Sequence, residues 1–227
     1  MNTVAIPSLP APFTDCAALI GPANGREVLL ASLLDGPDMI GSGVGEIARK
    51  WGPGDSRAAA SLWSYGYFSR LLRPILAYGV LADHWFRASY NEVAVEFSAM
   101  STVARFAMPD GCAPEEALDC ALAHVQLVID RCGTYTGTTA RLHRSNAEYV
   151  FWRTHHMLAS SEDVAHHDRL ARIGAHMAGA YPDFGRLVAR DITGAPTRRV
   201  CCLRDRLSSL KRCTNACPLR HQGCRDG

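Results

Sequence analysis

Five of the nine cysteines of this chain fall within its last 27 residues, and their placement limits how the chain can fold. The segment around them is polar and basic, so five thiols are hard to place in an apolar core. We therefore expect a globular part followed by a C-terminal segment whose thiols bind a metal. The five are Cys201, Cys202, Cys213, Cys217 and Cys224.

The first four of these cysteines form two close pairs separated by a loop. Cys201 and Cys202 are adjacent, ten residues follow, and Cys213 and Cys217 enclose three residues. Four thiolates in such pairs can hold a [2Fe–2S] cluster, and closing the loop between the pairs costs little entropy. Structural zinc accepts the same ligands, although zinc ribbons prefer pairs separated by about two to four residues. Ordinary buried thiols without a metal are the third interpretation.

The charge of the same segment suits an anionic metal site. From Arg198 to Gly227 the chain has eight basic and two acidic residues, a balance of +6. Positive charge lowers the pKa of nearby thiols and favours the reduced, more anionic state of a thiolate cluster. It also steers an acidic electron donor such as a ferredoxin. The basic residues are Arg198, Arg199, Arg204, Arg206, Lys211, Arg212, Arg220 and Arg225.

Composition narrows the class of protein and of partner. Of the 227 residues, 48% are hydrophobic and 20% charged, which suits one domain with a small appendage. A net charge of +2 does not indicate nucleic-acid binding. No apolar run is long enough for a membrane span, and the first residues lack the basic start of a secretory signal. We therefore expect a cytoplasmic protein without disulfides.

Helical periodicity dominates the first 196 residues. Pro74 is expected to begin a helix, because its fixed φ suits a first helical position. Alternation over 92–100, with a partner strand over 103–108, predicts an antiparallel hairpin. The remaining pattern predicts helices over 23–34, 56–73, 74–86, 114–132, 139–158 and 161–178, a loop over 36–45, a helical turn over 44–51 and a connecting stretch over 181–194.

These elements predict a mainly α fold with a small antiparallel β element, of the α+β class. The domain organisation that follows is a helical domain over 1–196, with its hairpin near 92–108, and a cluster-binding segment over 197–227. Gly43 to Ala48 loosely fits a dinucleotide-binding pattern, but no strand precedes it, so we interpret it as a plain loop. No nicotinamide or flavin site is predicted, and electrons are expected from another protein or a small reductant.

The tail sequence RRVCCLRDRL…CTNACPL resembles the end of the FhuF-like siderophore-iron reductases. Members of that family have a vicinal cysteine pair, ten residues, a cysteine, two residues and a last cysteine. The resemblance implies a [2Fe–2S] cluster on Cys201, Cys202, Cys213 and Cys217 and the reduction of ferric iron in hydroxamate-type siderophores in the cytoplasm. Looser similarity upstream involves SLWSY at 61–65, LLRP at 71–74 and SNA at 145–147.

One departure from the family pattern concerns the fourth ligand. Three residues separate Cys213 from Cys217, where the family has two. The extra residue turns the second sulfur unless the loop bulges. Cys224 is therefore the spare candidate for the fourth ligand.

Candidate substrate contacts lie on the helices predicted around Pro74. Arg and aromatic side chains bind anionic or oxygen-rich iron chelates through hydrogen bonds and cation–π contacts. Trp63, Arg70 and Arg73 are the candidates, although core packing explains the tryptophan equally well.

The expected function is an oxidoreductase that transfers one electron from its cluster to ferric iron in a docked siderophore and so releases ferrous iron. Two alternatives remain. One is a zinc-stabilised binding module without redox activity, and the other is a siderophore-binding protein that does not reduce iron.

Overall fold

The computed structural model describes residues 6–21, 27–34, 38–52, 54–98, 102–160, 162–210 and 218. The described part is 58% helical with small sheets, which confirms the mainly α, α+β prediction. Its helices are α1 (Cys16–Leu19), α2 (Leu30–Leu34), α3 (Asp38–Trp51), α4 (Ser56–Ala82), α5 (Pro114–Thr136), α6 (Ala140–Leu158) and α7 (Val164–Ala180). Its strands are β1 (Ile20–Gly21), β2 (Val28–Leu29), β3 (Ala94–Phe97), β4 (Val103–Ala107), β5 (Val188–Arg190) and β6 (Pro196–Arg198).

Helix α4 lies at the centre of the molecule and packs against α3, α5 and α6. Two separate helices joined at Pro74 are expected from the sequence, and this expectation is wrong because Pro74 lies inside one continuous helix. An internal proline removes a backbone hydrogen bond and costs about 3 kcal/mol. Leu71 and Ile75 beside it are at most 1% exposed, so burial on both sides of the proline offsets that cost.

The start of α4 and its end are set by aspartates. The carboxylate of Asp55 accepts the backbone N–H of Arg57 at 3.0 Å, which caps the first turn. Asp83 follows the last turn with a left-handed φ of 50°, a conformation that Asp tolerates better than most residues. The helix therefore ends before Phe86, the limit that periodicity predicts.

The predicted hairpin is confirmed, and two further strands join it. β3 pairs antiparallel with β4, and Val95 lies opposite Phe106. β2 extends the sheet on the β3 side, and β1 runs parallel to β4 on the other side. Val28 and Leu29 of β2 are strand residues, so the helix expected over 23–34 is confined in the described part to α2.

The loop predicted over 36–45 is wrong from Asp38 onward, where α3 begins. Ile40 is buried, and Val44 and Ile47 pack against the core, so the helix gains contacts that outweigh the low helix propensity of its glycines. The dinucleotide-like pattern lies inside α3, without the strand and turn that such a fingerprint needs.

The last part of the described chain returns to the helices. Turns over 182–187 lead into β5, which pairs antiparallel with β6, where the pattern predicts only a connecting stretch. The boundary predicted between 196 and 197 falls inside β6. Both strands pack on α6, and the 3₁₀ turn that follows (Arg204–Arg206) packs on α4.

None of the helices in these ranges is both long and apolar enough to cross a lipid bilayer.

Candidate metal centre

Arg198 at the end of β6 anchors the C-terminal segment to the helical core. Its side chain is buried, and the guanidinium carbon lies 4.9 Å from the centre of the Tyr65 ring and 4.4 Å from that of Tyr149. Nη1 donates a hydrogen bond to Oδ1 of Asn146. A guanidinium stacks well on aromatic faces, because it is planar and weakly hydrated. Arg198 therefore joins α4 and α6 to the strand that precedes Cys201.

A buried polar network holds Asn146 in place. Its amide nitrogen donates to the Ser61 carbonyl at 2.8 Å and to the Ser64 hydroxyl at 2.9 Å. Nδ1 of His143 lies 2.8 Å from the same Ser64 oxygen, and its Nε2 is hydrogen-bonded to the Thr138 hydroxyl. Burial lowers the pKa of His143 to about 4, so the ring is neutral at pH 7. All side chains of the network behind Arg198 are uncharged, so Arg198 is its one charged member.

Leu207 anchors the chain to α4 on the C-terminal side of the cysteine pair. It is 1% exposed and packs against Ala58 and Ala59 of α4. Its backbone forms a bridge with Gly54, and the N–H of Ser209 donates to the Trp51 carbonyl at 3.0 Å. The approach is close, since a Cβ atom on Gly54 would lie 2.3 Å from the Arg206 carbonyl oxygen. Only glycine fits this position without a shift of the segment.

Between these two anchors lie Cys201 and Cys202, both half-buried. Leu203 has a left-handed φ of 58°, and its N–H donates to Sγ of Cys201 at 3.4 Å. Backbone N–H groups that donate to sulfur are among the features that tune iron–sulfur clusters. The chain therefore turns around the first thiol, and both cysteines of the pair remain partly exposed.

The other predicted ligands, Cys213, Cys217 and the spare Cys224, lie outside the described residues. Within the described ranges, no three Cys, His, Asp or Glu side chains are grouped closely enough to hold a metal ion. The described half of the predicted site is thus the vicinal pair alone.

The four cysteines of the globular part all have pKa values raised by burial. Burial raises the pKa of Cys16 to about 11 and raises that of Cys132 further. Burial also raises the pKa values of Cys112 and Cys120, which are partly exposed. A protonated thiol is a poor ligand, so these positions suit packing rather than metal binding.

A cavity of about 190 Å³ opens between α3, α4 and the start of β4. Lys50 and Arg70 line it, together with the aromatic rings of Trp51, Trp63 and Tyr65. Lys50 Nζ lies 5.0 Å from the centre of the Trp51 ring. The cavity thus combines aromatic walls with two cations and one carboxylate, that of Glu46, which forms an ion pair with Arg49.

Of the predicted substrate residues, Trp63 and Arg70 line this cavity and Arg73 does not. Arg70 donates to the Gly66 carbonyl at 3.1 Å, and burial lowers its pKa. Arg73 forms an ion pair with Asp15 at 2.8 Å and lies 5.4 Å from the Phe13 ring, so it fastens the N-terminal segment to α4.

The cavity and the cysteine segment share side chains. Tyr65 lines the cavity and also contacts Arg198. Leu62 lines the cavity and packs in the cluster that contains Leu203 and Leu207. Residues on either side of the vicinal cysteines therefore contact side chains that line the cavity.

Sequence reasoning alone missed Lys50 as a residue of the cavity. It also missed the contacts of Arg198 with Tyr65 and Asn146. Tyr65 and Asn146 fall in two of the three upstream segments on which the predicted resemblance to the reductase family rests, which is the available signal for them. Arg198 is one of eight basic residues in the tail, and its burial has no signature in the sequence.

No protein-family model matches the chain, and no curated protein matches it either.

Proposed function

We propose that this chain is a cytoplasmic ferric-siderophore reductase. It holds a [2Fe–2S] cluster on Cys201, Cys202, Cys213 and Cys217, with Cys224 as the alternative fourth ligand. The observation that carries the proposal is the anchored turn at Cys201 and Cys202, which shares its supporting side chains with a cavity that contains two cations.

The described thiols suit the cluster by their chemistry. They are half-buried, and one already accepts a backbone N–H, a kind of hydrogen bond that tunes the potential of a bound cluster. Arg198 lies three residues before Cys201, so their Cα atoms are at most about 11 Å apart. When bound, the cluster supplies a carrier for one electron.

The cavity suits one arm of an oxygen-rich chelate. Arg70 and Lys50 attract its anionic oxygens, and the faces of Trp51 and Trp63 exclude water from the bound group. A volume of about 190 Å³ is small for a whole siderophore, since pockets that enclose drug-sized ligands start at about 300 Å³. We therefore expect the ferric centre to remain at the mouth of the cavity.

The reaction places few demands on the side chains. One electron converts the ferric ion of the chelate to ferrous iron, and no bond to the protein forms. Hard oxygen ligands hold ferrous iron less tightly, so the metal leaves. The tasks of the cavity are binding and orientation, and no general acid or base is needed.

The decisive test is the metal content and spectrum of anaerobically purified protein. We expect iron and sulfide at two each per chain, absorption bands above 400 nm and an electron paramagnetic resonance signal after reduction with dithionite. A colourless protein that contains zinc would leave the zinc-stabilised binding module as the function.

A second measurement separates reduction from binding. The reduced protein is mixed anaerobically with a ferric trihydroxamate, and ferrous iron is trapped with a chromogenic chelator. We expect one ferrous ion per electron stored. Tight binding of the chelate without ferrous release would instead identify a siderophore-binding protein.

A further inference from the structure

Three arginines line a concave surface on the hairpin that leads to the cysteine pair. Arg186, Arg190 and Arg199 are exposed around a cavity of about 430 Å³ that also contacts Trp152 and Phe184. None of the residues that line it is acidic. We call the surface of these three arginines the arginine face.

The partners of these arginines leave the face cationic. Nη1 of Arg190 donates to the Gly194 carbonyl, and Nε of Arg199 donates to the Val188 carbonyl. Carbonyl oxygens orient the two guanidinium groups without neutralising them. Arg186 pairs with Asp183 at 2.7 Å on the rim, where both side chains are solvated and the pair is weak.

Ile192 projects from the tip of the same hairpin and is fully exposed. The turn that carries it is ordered, since Oδ1 of Asp191 accepts the N–H of Thr193 at 2.8 Å and that of Ala195 at 3.0 Å. A single exposed apolar residue is common on protein surfaces. An apolar residue on an ordered tip, with Arg190 and Asp191 beside it, has the composition of a protein interface, which is an apolar contact with a polar rim.

We propose that the arginine face and Ile192 form the docking surface for an acidic electron-donor protein. This inference rests on the proposed function, because it supplies the source of the electron. Arg199 lies two residues before Cys201, so their Cα atoms are at most about 7 Å apart, and a donor seated here contacts the segment that carries the first cysteine. Opposite charges steer such short-lived complexes and raise their association rates.

The donor supplies the electron that is transferred at this surface, and no other reactant is needed. One electron leaves the reduced centre of the donor, which becomes oxidised by one unit, and it is stored at the cysteine site. No bond is made or broken, and no proton needs to move.

The experiment uses an acidic plant-type [2Fe–2S] ferredoxin, reduced beforehand, as the probe. Stopped-flow absorption follows reduction of the intact, iron-loaded protein at several salt concentrations. The variant is Arg190→Glu/Arg199→Glu. The control is Arg172→Glu, an exposed arginine of α7 outside the lining of this cavity, which carries half of that change in net charge. Photoreduced deazariboflavin, a small uncharged reductant, and the midpoint potential of each protein serve as readouts independent of docking.

We expect transfer from ferredoxin to slow by about tenfold or more at low salt in the double variant, with a smaller salt dependence. The control variant and the reaction with deazariboflavin should keep the rates of the parent. Equal ferredoxin rates in the parent and the double variant, with iron and sulfide present, would overturn the docking surface and leave the reductase proposal intact. Absence of iron and sulfide from the parent would overturn the reductase proposal and this inference with it.

Discussion

The chain places its cysteines in two different environments. Cys132 lies on α5 with no exposure at all, and burial strongly raises its pKa. Cys201 and Cys202 lie half-buried on a turn, and a backbone N–H already points at one of the two sulfurs. The same side chain is therefore a packing group in the helical core, whereas on the turn it suits the ligand role that we propose.

This difference arises from how each region is held. The helical core is stabilised by contacts among apolar side chains around α4. The cysteine segment is held at two points, Arg198 and Leu207, with the thiols between them. A segment fixed at both ends can present ligands at the surface without burying them, because the anchors rather than the thiols supply the packing energy.

The largest expected effect separates the two sets of cysteines. Cys202→Ser should abolish the absorption above 400 nm and the iron content, because it removes a ligand. Cys120→Ser, at a partly exposed position on α5, should leave both unchanged. A normal spectrum in the Cys202 variant would contradict the ligand assignment, and loss of iron in both variants would show that the two sets do not differ.

Acid should weaken both regions through one buried histidine in each. His124 in the core accepts from Tyr67, at 2.7 Å, and His143 belongs to the network behind Arg198. Burial lowers the pKa of each to about 4, against about 6.5 in the unfolded chain. Between these values the unfolded state binds more protons, so stability falls as pH drops from 6.5 to 4.

The expected loss is about 3 kcal/mol for each histidine over that range. Urea unfolding at a series of pH values measures it. His143→Gln and His124→Gln should each remove about 3 kcal/mol of the dependence on pH. A free energy of unfolding that is constant between pH 6.5 and 4 would show that neither ring is held neutral.

The anchor itself can be tested by removing its charge. Arg198→Gln should lower the free energy of unfolding by roughly 3 kcal/mol, because a buried charged hydrogen bond and two cation–π contacts are lost. Arg199→Gln, an exposed neighbour, should change it by less than about 0.5 kcal/mol. Equal effects from the two substitutions would mean that Arg198 is not an anchor. Urea denaturation provides the measurement.

The smallest effect concerns the cavity beside the segment. Arg70→Gln should raise the KM for a ferric trihydroxamate by about tenfold, which corresponds to 1.4 kcal/mol, with little change in kcat. Arg73→Gln should leave the KM unchanged, because Arg73 contacts Asp15 and lies away from the cavity. A rise of KM in the Arg73 variant alone would move the substrate site toward the N-terminal segment.

Local pattern was sufficient for much of the fold. The hairpin of β3 and β4 follows from alternation, and α6 begins and ends within a residue of the predicted limits. The prediction at Pro74 was wrong because contacts with other elements override the local pattern. A local rule places this proline at a helix start, but the apolar residues on both sides of it are buried by other elements, and that gain is invisible in the local sequence.

The sequence by itself determined the chemistry available to this protein. The number, spacing and basic surroundings of its C-terminal thiols are properties of the chain before it folds. Only the tertiary structure decided which cations are buried, which arginines line a cavity and where the vicinal pair lies. The reason is that burial and charge pairing depend on contacts between residues far apart in sequence, such as Arg198 with Tyr65, and no local pattern encodes such contacts.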